Sequence, residues 1–162
     1  MSVHQEAQKI ARAEVDALGK APTDNGDLDK LRYVEACVLE TLRMNNSTPG
    51  PLPHVTVEHC VIEGKSVDPG TVLIMMTGEA MKSEEPAGWF LPGTKDIDRE
   101  RARNHWAFTG SPRRCPGQHL AMKECIVMAA TLLRHFDDIH FTIGYDNVGE
   151  MTYINRVPSS NS

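Results

Sequence analysis

Three prolines at alternating positions, Pro49, Pro51 and Pro53, set the tightest limit on what this chain can fold into. Each fixes φ at about −65° and removes a backbone donor, so no helix runs through the segment. The chain divides there. Before the prolines the apolar spacing is helical. After them come short β-type runs and turn signals, until a second long helical pattern begins near Pro116.

Residues 4–18 predict an amphipathic helix, with Ile10, Ala11, Val15 and Leu18 at helical spacing and Gly19 as the stop. Residues 20–27 read as a polar turn around Pro22 and Asn25-Gly26. A second helix is predicted over residues 27–44, capped by Asp27 or Asp29. On it Tyr33, Ala36, Cys37, Glu40 and Met44 share a face, and Arg43 stands one turn from Glu40 to pair with it. Residues 54–57, 59–62 and 71–76 carry strand patterns and predict a small sheet of hairpins. Residues 78–103 read as charged loop. Residues 116–136 predict a helix whose apolar face comprises Leu120, Ala121, Ile126 or Val127, Ala130, Leu132 and Leu133. Residues 139–157 predict one or two strands, and residues 158–162 a frayed end. The fold class is α+β, mainly helical, with small β-hairpin sheets.

A chain of 162 residues can close one domain. No apolar run approaches the roughly 20 residues that span a bilayer, and no signal-peptide layout opens the chain, so the expected compartment is the cytosol. The four cysteines, Cys37, Cys60, Cys115 and Cys125, show no zinc-type spacing, and disulfides are not expected. Cys115 and His119 lie four apart without a second ligand pair, and Ala121 stands where a cysteine phosphatase needs an arginine. The net charge of −5 conceals an asymmetry: between Lys95 and Lys123 seven basic residues face three acidic ones. That stretch is either a steering surface for an acidic partner or a solvated face of mixed charge. No nucleic-acid partner is expected.

Cys115 is the residue with the most chemistry to offer. It follows Arg113 and Arg114 and precedes Pro116-Gly117 and a helical pattern. Pro at the first helical position, the free amides of a first turn and two cationic neighbours favour thiolate over thiol. Such a sulfur is a nucleophile or a ligand for a soft metal centre, against the ordinary alternative of a buried structural cysteine. A hydrolytic nucleophile lacks an evident base and orienting group.

Two motifs together resemble the cytochrome P-450 family, the haem-thiolate monooxygenases. Glu40-Thr41-Leu42-Arg43 resembles the family's E-x-x-R helix. Phe108, Arg113, Cys115 and Gly117 match F-x-x-G-x-R-x-C-x-G at the family's spacing, with prolines and short strands between the two motifs. The resemblance implies that residues 1–162 form a single partial domain, the C-terminal third of the P-450 fold. It implies haem b (iron protoporphyrin IX) as cofactor, with Cys115 as the axial ligand of the iron, Phe108 beside the sulfur, and Gly117 in the ligand loop. Arg113 and His54 would hold haem propionates, and Glu40–Arg43 would be a structural ion pair. The implied activity is oxidation of a small organic substrate with molecular oxygen. A reductase would dock near Lys95 and Lys123. Complete family members include membrane-anchored ones, though this chain has no membrane segment.

Four departures accompany the match, one of them a connection from Met81 to Trp89 that is shorter than the family's. Ser111 replaces a glycine of the cysteine loop, which would strain that turn. Gly88, after Glu85-Pro86-Ala87, stands where the family has an arginine, so the network around Glu40–Arg43 is expected to be incomplete. The chain also corresponds to the last third of a family member, without the long helix that delivers protons to oxygen. No catalytic residue is therefore assigned. At about 25 cal/mol per Å², a few hundred Å² of porphyrin left in water costs several kcal/mol of binding. Two readings stay open: a haem-thiolate monooxygenase, and a truncated non-catalytic homologue with weak or no haem binding.

Overall fold

A computed structural model describes residues 4–47, 52–75, 81, 88–103, 105–110, 114–136, 139, 149–152 and 156–159. Helix α1 spans Gln5–Ala17, and Gly19 stops it with φ of +65°, a conformation that glycine adopts without steric cost. The single helix expected over 27–44 is two helices, α2 (Asn25–Leu28) and α3 (Arg32–Met44). Asp24 caps α2 by accepting from the Asp27 amide. Asp27 is no cap: it is buried, and its carboxylate accepts from Lys20 and from Thr23. Those bonds, Lys20 first, hold its pKa down at about 2. Asp29 closes the end of α2 instead.

The cap of α3 comes from another helix. Glu14 on α1 accepts from the Tyr33 and Val34 amides, satisfying donors that a helix N-terminus leaves without partners. The buried side of α3 is Val34, Ala36, Val38, Leu39 and Arg43. Met44 is exposed, and Tyr33, Cys37 and Glu40 are half-buried, so the interior face is rotated from the one expected.

Strand β1 (Leu52–Val55) pairs antiparallel with β4 (Val72–Met75), and the hairpin of β2 (Cys60–Ile62) and β3 (Lys65–Val67) lies between them in sequence. These are two separate two-stranded sheets rather than one. Within the charged stretch expected to be loop lies a short helix, α4 (Arg99–Arg103), capped by Asp98. Helix α5 spans Gln118–His135. Strands β5 (Gly149–Thr152) and β6 (Arg156–Ser159) pair antiparallel, so the end expected to fray is strand through Ser159.

The core is the junction of α1, α3 and α5. Ala11 and Val15, Leu31, Val34 and Val38, and Ile126, Ala130 and Leu133 pack together. A second cluster of Ala36, Leu39, Trp89 and Ile97 sits on the other side of α3, and Met122 touches both. Arg12 donates to the Leu133 and Phe136 carbonyls, tying α1 to the C-terminus of α5. Leu120 and Leu132, expected in the core, are exposed, as are Ile10, Val127 and Met128. Val55, Val57, Val61, Val72 and Ile74 are exposed as well. Among the described residues no helix is long and apolar enough to cross a membrane.

Candidate functional site

Cys115 stands on a turn in front of α5. Gln118 donates to the Cys115 carbonyl at 3.2 Å, and Ala121 to the Gly117 carbonyl at 2.9 Å. The helix therefore starts at Gln118, and Pro116 lies ahead of it rather than at its first position. The tight turn through Pro116 and Gly117 takes the space a first helical turn would use. Cys115 is exposed. Its own amide donates to the Phe108 carbonyl at 2.9 Å, which ties together the two ends of the loop.

Phe108 ends a one-turn 3-10 helix, Trp106–Phe108, and is half-buried. Thr109 follows with φ of 59° and ψ of 172°, a region in which side chains other than glycine are strained. Strain in this loop was expected at Ser111, which, with Arg113, lies outside the described residues. Gly117 has φ of −82°, so the backbone does not demand glycine there. A Cβ there would stand 3.7 Å from Cys115 Sγ, an ordinary van der Waals contact.

The ion pair expected on α3 is present and doubly bonded. Arg43 Nη2 donates to Glu40 Oε1 at 2.8 Å and Nε to Oε2 at 2.9 Å. Arg43 is buried, and its Nη1 donates to the Met81 carbonyl at 2.8 Å. The network is not incomplete. The Trp89 indole donates to Glu40 Oε2 at 3.0 Å, from the position next to Gly88. Arg43's hydrogen bonds, helped by Trp89 and opposed by burial, hold Glu40 below the usual carboxylate range. The Arg101 guanidinium lies over the Trp89 ring, 5.3 Å from its centroid. His105 meets the same ring edge-on at 5.4 Å. His105 is buried, and neither ring nitrogen has a hydrogen-bond partner among the described residues. Burial leads in pushing its pKa down to about 4.

Met81, Trp89, Arg101 and His105 were not singled out from the sequence for this site. Trp89 carried one usable signal, its place in the segment where the family's arginine was missed. His54 lies exposed on β1 opposite Leu73, and its imidazole has no hydrogen-bond partner among the described residues. The basic stretch is also less free than its charge suggests, because Arg99 pairs with Glu35 and Arg101 with Trp89. Lys123, His119 and Arg32 line one cleft of about 600 Å³, whereas Lys95 lines another of about 410 Å³ with Tyr33 and Phe90. Arg32 on α3 borders both.

An exposed thiol thus stands on a loop before a helix, and a bonded Glu–Arg pair lies on α3. The family profile for cytochrome P450 matches residues 1–139. The chain is 34% identical over 141 residues to a 9-beta-pimara-7,15-diene oxidase of Oryza sativa subsp. japonica, covering 79% of this chain and 28% of that protein. It is 31% identical over 141 residues to a (+)-piperitol/(+)-sesamin synthase, CYP81Q2, of Sesamum radiatum, with 83% and 28% covered. Cytochrome P450 4d1 of Drosophila melanogaster is 33% identical over 150 residues, with 85% and 29% covered. A crystal structure of a cytochrome P450, CYP102L1, superposes with a TM-score of 0.75 at 22% identity, over 98% of this chain and 37% of that one. This chain belongs to the cytochrome P450 family. It adopts part of that family's fold and spans less than a third of the length of these curated relatives.

Proposed function

We propose that this chain carries the thiolate side of the haem site of a P450-type monooxygenase, with Cys115 as the sulfur ligand of haem b. The observation that carries the reading is the exposed Cys115, fixed to Phe108 through its backbone ahead of α5. The donor chemistry fits the group. Cys115 is exposed, and a cysteine thiolate is a ligand that haem iron accepts, so it would hold the group through its sulfur. When bound, the haem supplies the redox-active iron at which molecular oxygen is activated toward a small organic substrate.

The chain's own residues hold and tune that group. With the group bound, Phe108 would pack beside the sulfur and limit water there. Arg113 and His54 are the charge-assisted partners for propionates. Glu40 and Arg43 brace α3 behind the loop and take no part in proton transfer. A reductase would dock near Lys95–Lys123; in the cleft that Lys123 lines, Arg32 and His119 stand beside Asp29 and Glu35.

A second reading, a non-catalytic homologue with weak or no haem binding, draws support from the exposed apolar side chains of α5 and the hairpins. Adding haem to the purified chain and reducing it under carbon monoxide separates the two. A stoichiometric, strongly red-shifted Soret band that disappears in Cys115→Ser supports the haem-thiolate reading. Partial loading, or a band unchanged in Cys115→Ser, supports the remnant. Oxygen-dependent product formation with a reductase tests catalysis.

A further inference from the structure

Helix α4 stands immediately before the segment that leads through His105 and Trp106–Phe108 to Cys115, so whatever docks α4 decides where the cysteine loop begins. Two of its side chains reach toward α3. Arg99 pairs with Glu35 near one end of that helix. Arg101 reaches Glu40 near the other end, through an aromatic ring. Its guanidinium lies 5.3 Å from the centroid of Trp89, whose indole donates to Glu40 Oε2 at 3.0 Å. Arg101 Nε is buried without a hydrogen-bond partner among the described residues, so the π face is the main attraction described for this half-buried cation. A direct Arg101–Glu40 bond would bring two guanidiniums onto one carboxylate already bound twice by Arg43. The ring separates the cations and carries the attraction to the same oxygen. Trp89 is 6% exposed and packed against Ala36, Leu39 and Ile97, so it is a stiff intermediary.

We propose that Arg101 and Trp89 act as one positioning unit that seats α4 on Glu40 and thereby sets the placement of Phe108 and Cys115. The link to Phe108 is direct in the chain, and the Cys115 amide bonded to the Phe108 carbonyl carries the placement to the sulfur. That this placement serves a metal-binding sulfur rests on the haem-thiolate reading; the positioning itself does not.

The test is amide hydrogen exchange resolved by segment on the full chain, with the alkylation rate of Cys115 measured in parallel. Arg101→Met removes the charge, Trp89→Leu removes the ring, and Arg101→Lys restores a cation. Arg101→Met and Trp89→Leu are each expected to raise exchange of residues 105–110 about tenfold, the scale of a desolvated cation–π contact. Cys115 alkylation should accelerate, while exchange in α1 and in the C-terminal half of α5 stays unchanged. The double variant should match the stronger single one, and Arg101→Lys should lie within about twofold of the parent. Multiplicative effects in the double variant overturn the proposal, as does an equal rise in α1 and α5, which marks a general loss of stability. Arg101→Met is the decisive variant if Trp89→Leu fails to fold, because Arg101 is half-buried and its removal leaves the core intact. Absence of a thiolate-type Soret band in the parent chain would sink the haem reading and leave the exchange result standing.

Discussion

His105 offers the sharpest test of how this region is held together, because it is buried without hydrogen bonds beside two arginines. It is 6% exposed, and Glu40, Arg43, Arg101 and the Trp89 ring surround it. Burial does most to lower its pKa from 6.5 to about 4; Glu40 opposes, and Arg43 and Arg101 reinforce. In the unfolded chain the imidazole takes a proton near its ordinary pKa, so the unfolded state binds more protons through this window. Stability from this group is complete above 6.5 and falls as the pH drops toward 4. At roughly 1.4 kcal/mol per pH unit the whole loss is about 3 kcal/mol, of which about 2 kcal/mol is gone by pH 5. That is a large part of the margin of an ordinary domain. Urea unfolding followed by far-UV circular dichroism at pH 7.5 and pH 5 measures it. His105→Phe keeps an aromatic edge against Trp89 and removes the titration. The parent should lose about 2 kcal/mol between the two pH values, and the variant less than about 0.5 kcal/mol. Equal losses in parent and variant would refute the assignment.

Other perturbations have definite signs. Glu40→Ala strands the buried Arg43 and leaves the Trp89 indole without its acceptor; unfolding should show a cost of about 2–4 kcal/mol, less than for a fully buried pair because Glu40 keeps some solvent. Thr109→Gly removes a side chain from a glycine-only backbone region. Its relief of about 1–3 kcal/mol exceeds the entropy that glycine adds to the unfolded chain, so the unfolding midpoint should rise. Among the four thiols, alkylation resolved by mass spectrometry should reach the exposed Cys115 first and Cys37 late, since burial raises the Cys37 pKa. Haem added beforehand should protect Cys115 selectively.

Local chemistry was legible where it depends on short spacing. Glu40 and Arg43 meet because residues three apart lie on one helix face. Strand patterns follow from alternation, and Cys115 stands on its loop before a helix; the hairpin of β2 and β3 turns at Glu63-Gly64, whereas Asp68-Pro69-Gly70 joins strands that pair elsewhere. Capping was not legible, because it depends on which side chains meet in space. Asp27 and Asp29 look like caps for one long helix, but Asp27 turns inward to Lys20 and Thr23, and the cap of α3 is Glu14, nineteen residues from Tyr33. The helical face of α3 was likewise misplaced, since neighbours on α1, α5 and Trp89 decide which side is covered.

The sequence by itself determined the elements and the chemistry on offer: helices broken by prolines, an ion pair one turn apart, a cysteine in a family-specific loop. Only the tertiary structure decided how the Glu40–Arg43 pair is completed. A missing arginine at Gly88 reads as a gap along the chain, yet Trp89 fills it from the adjacent position and Arg101 approaches over its ring. Hydrogen bonds and cation–π contacts depend on distance in space, and residues 40, 89 and 101 come together only when α3, the segment before α4 and α4 itself pack around one buried indole.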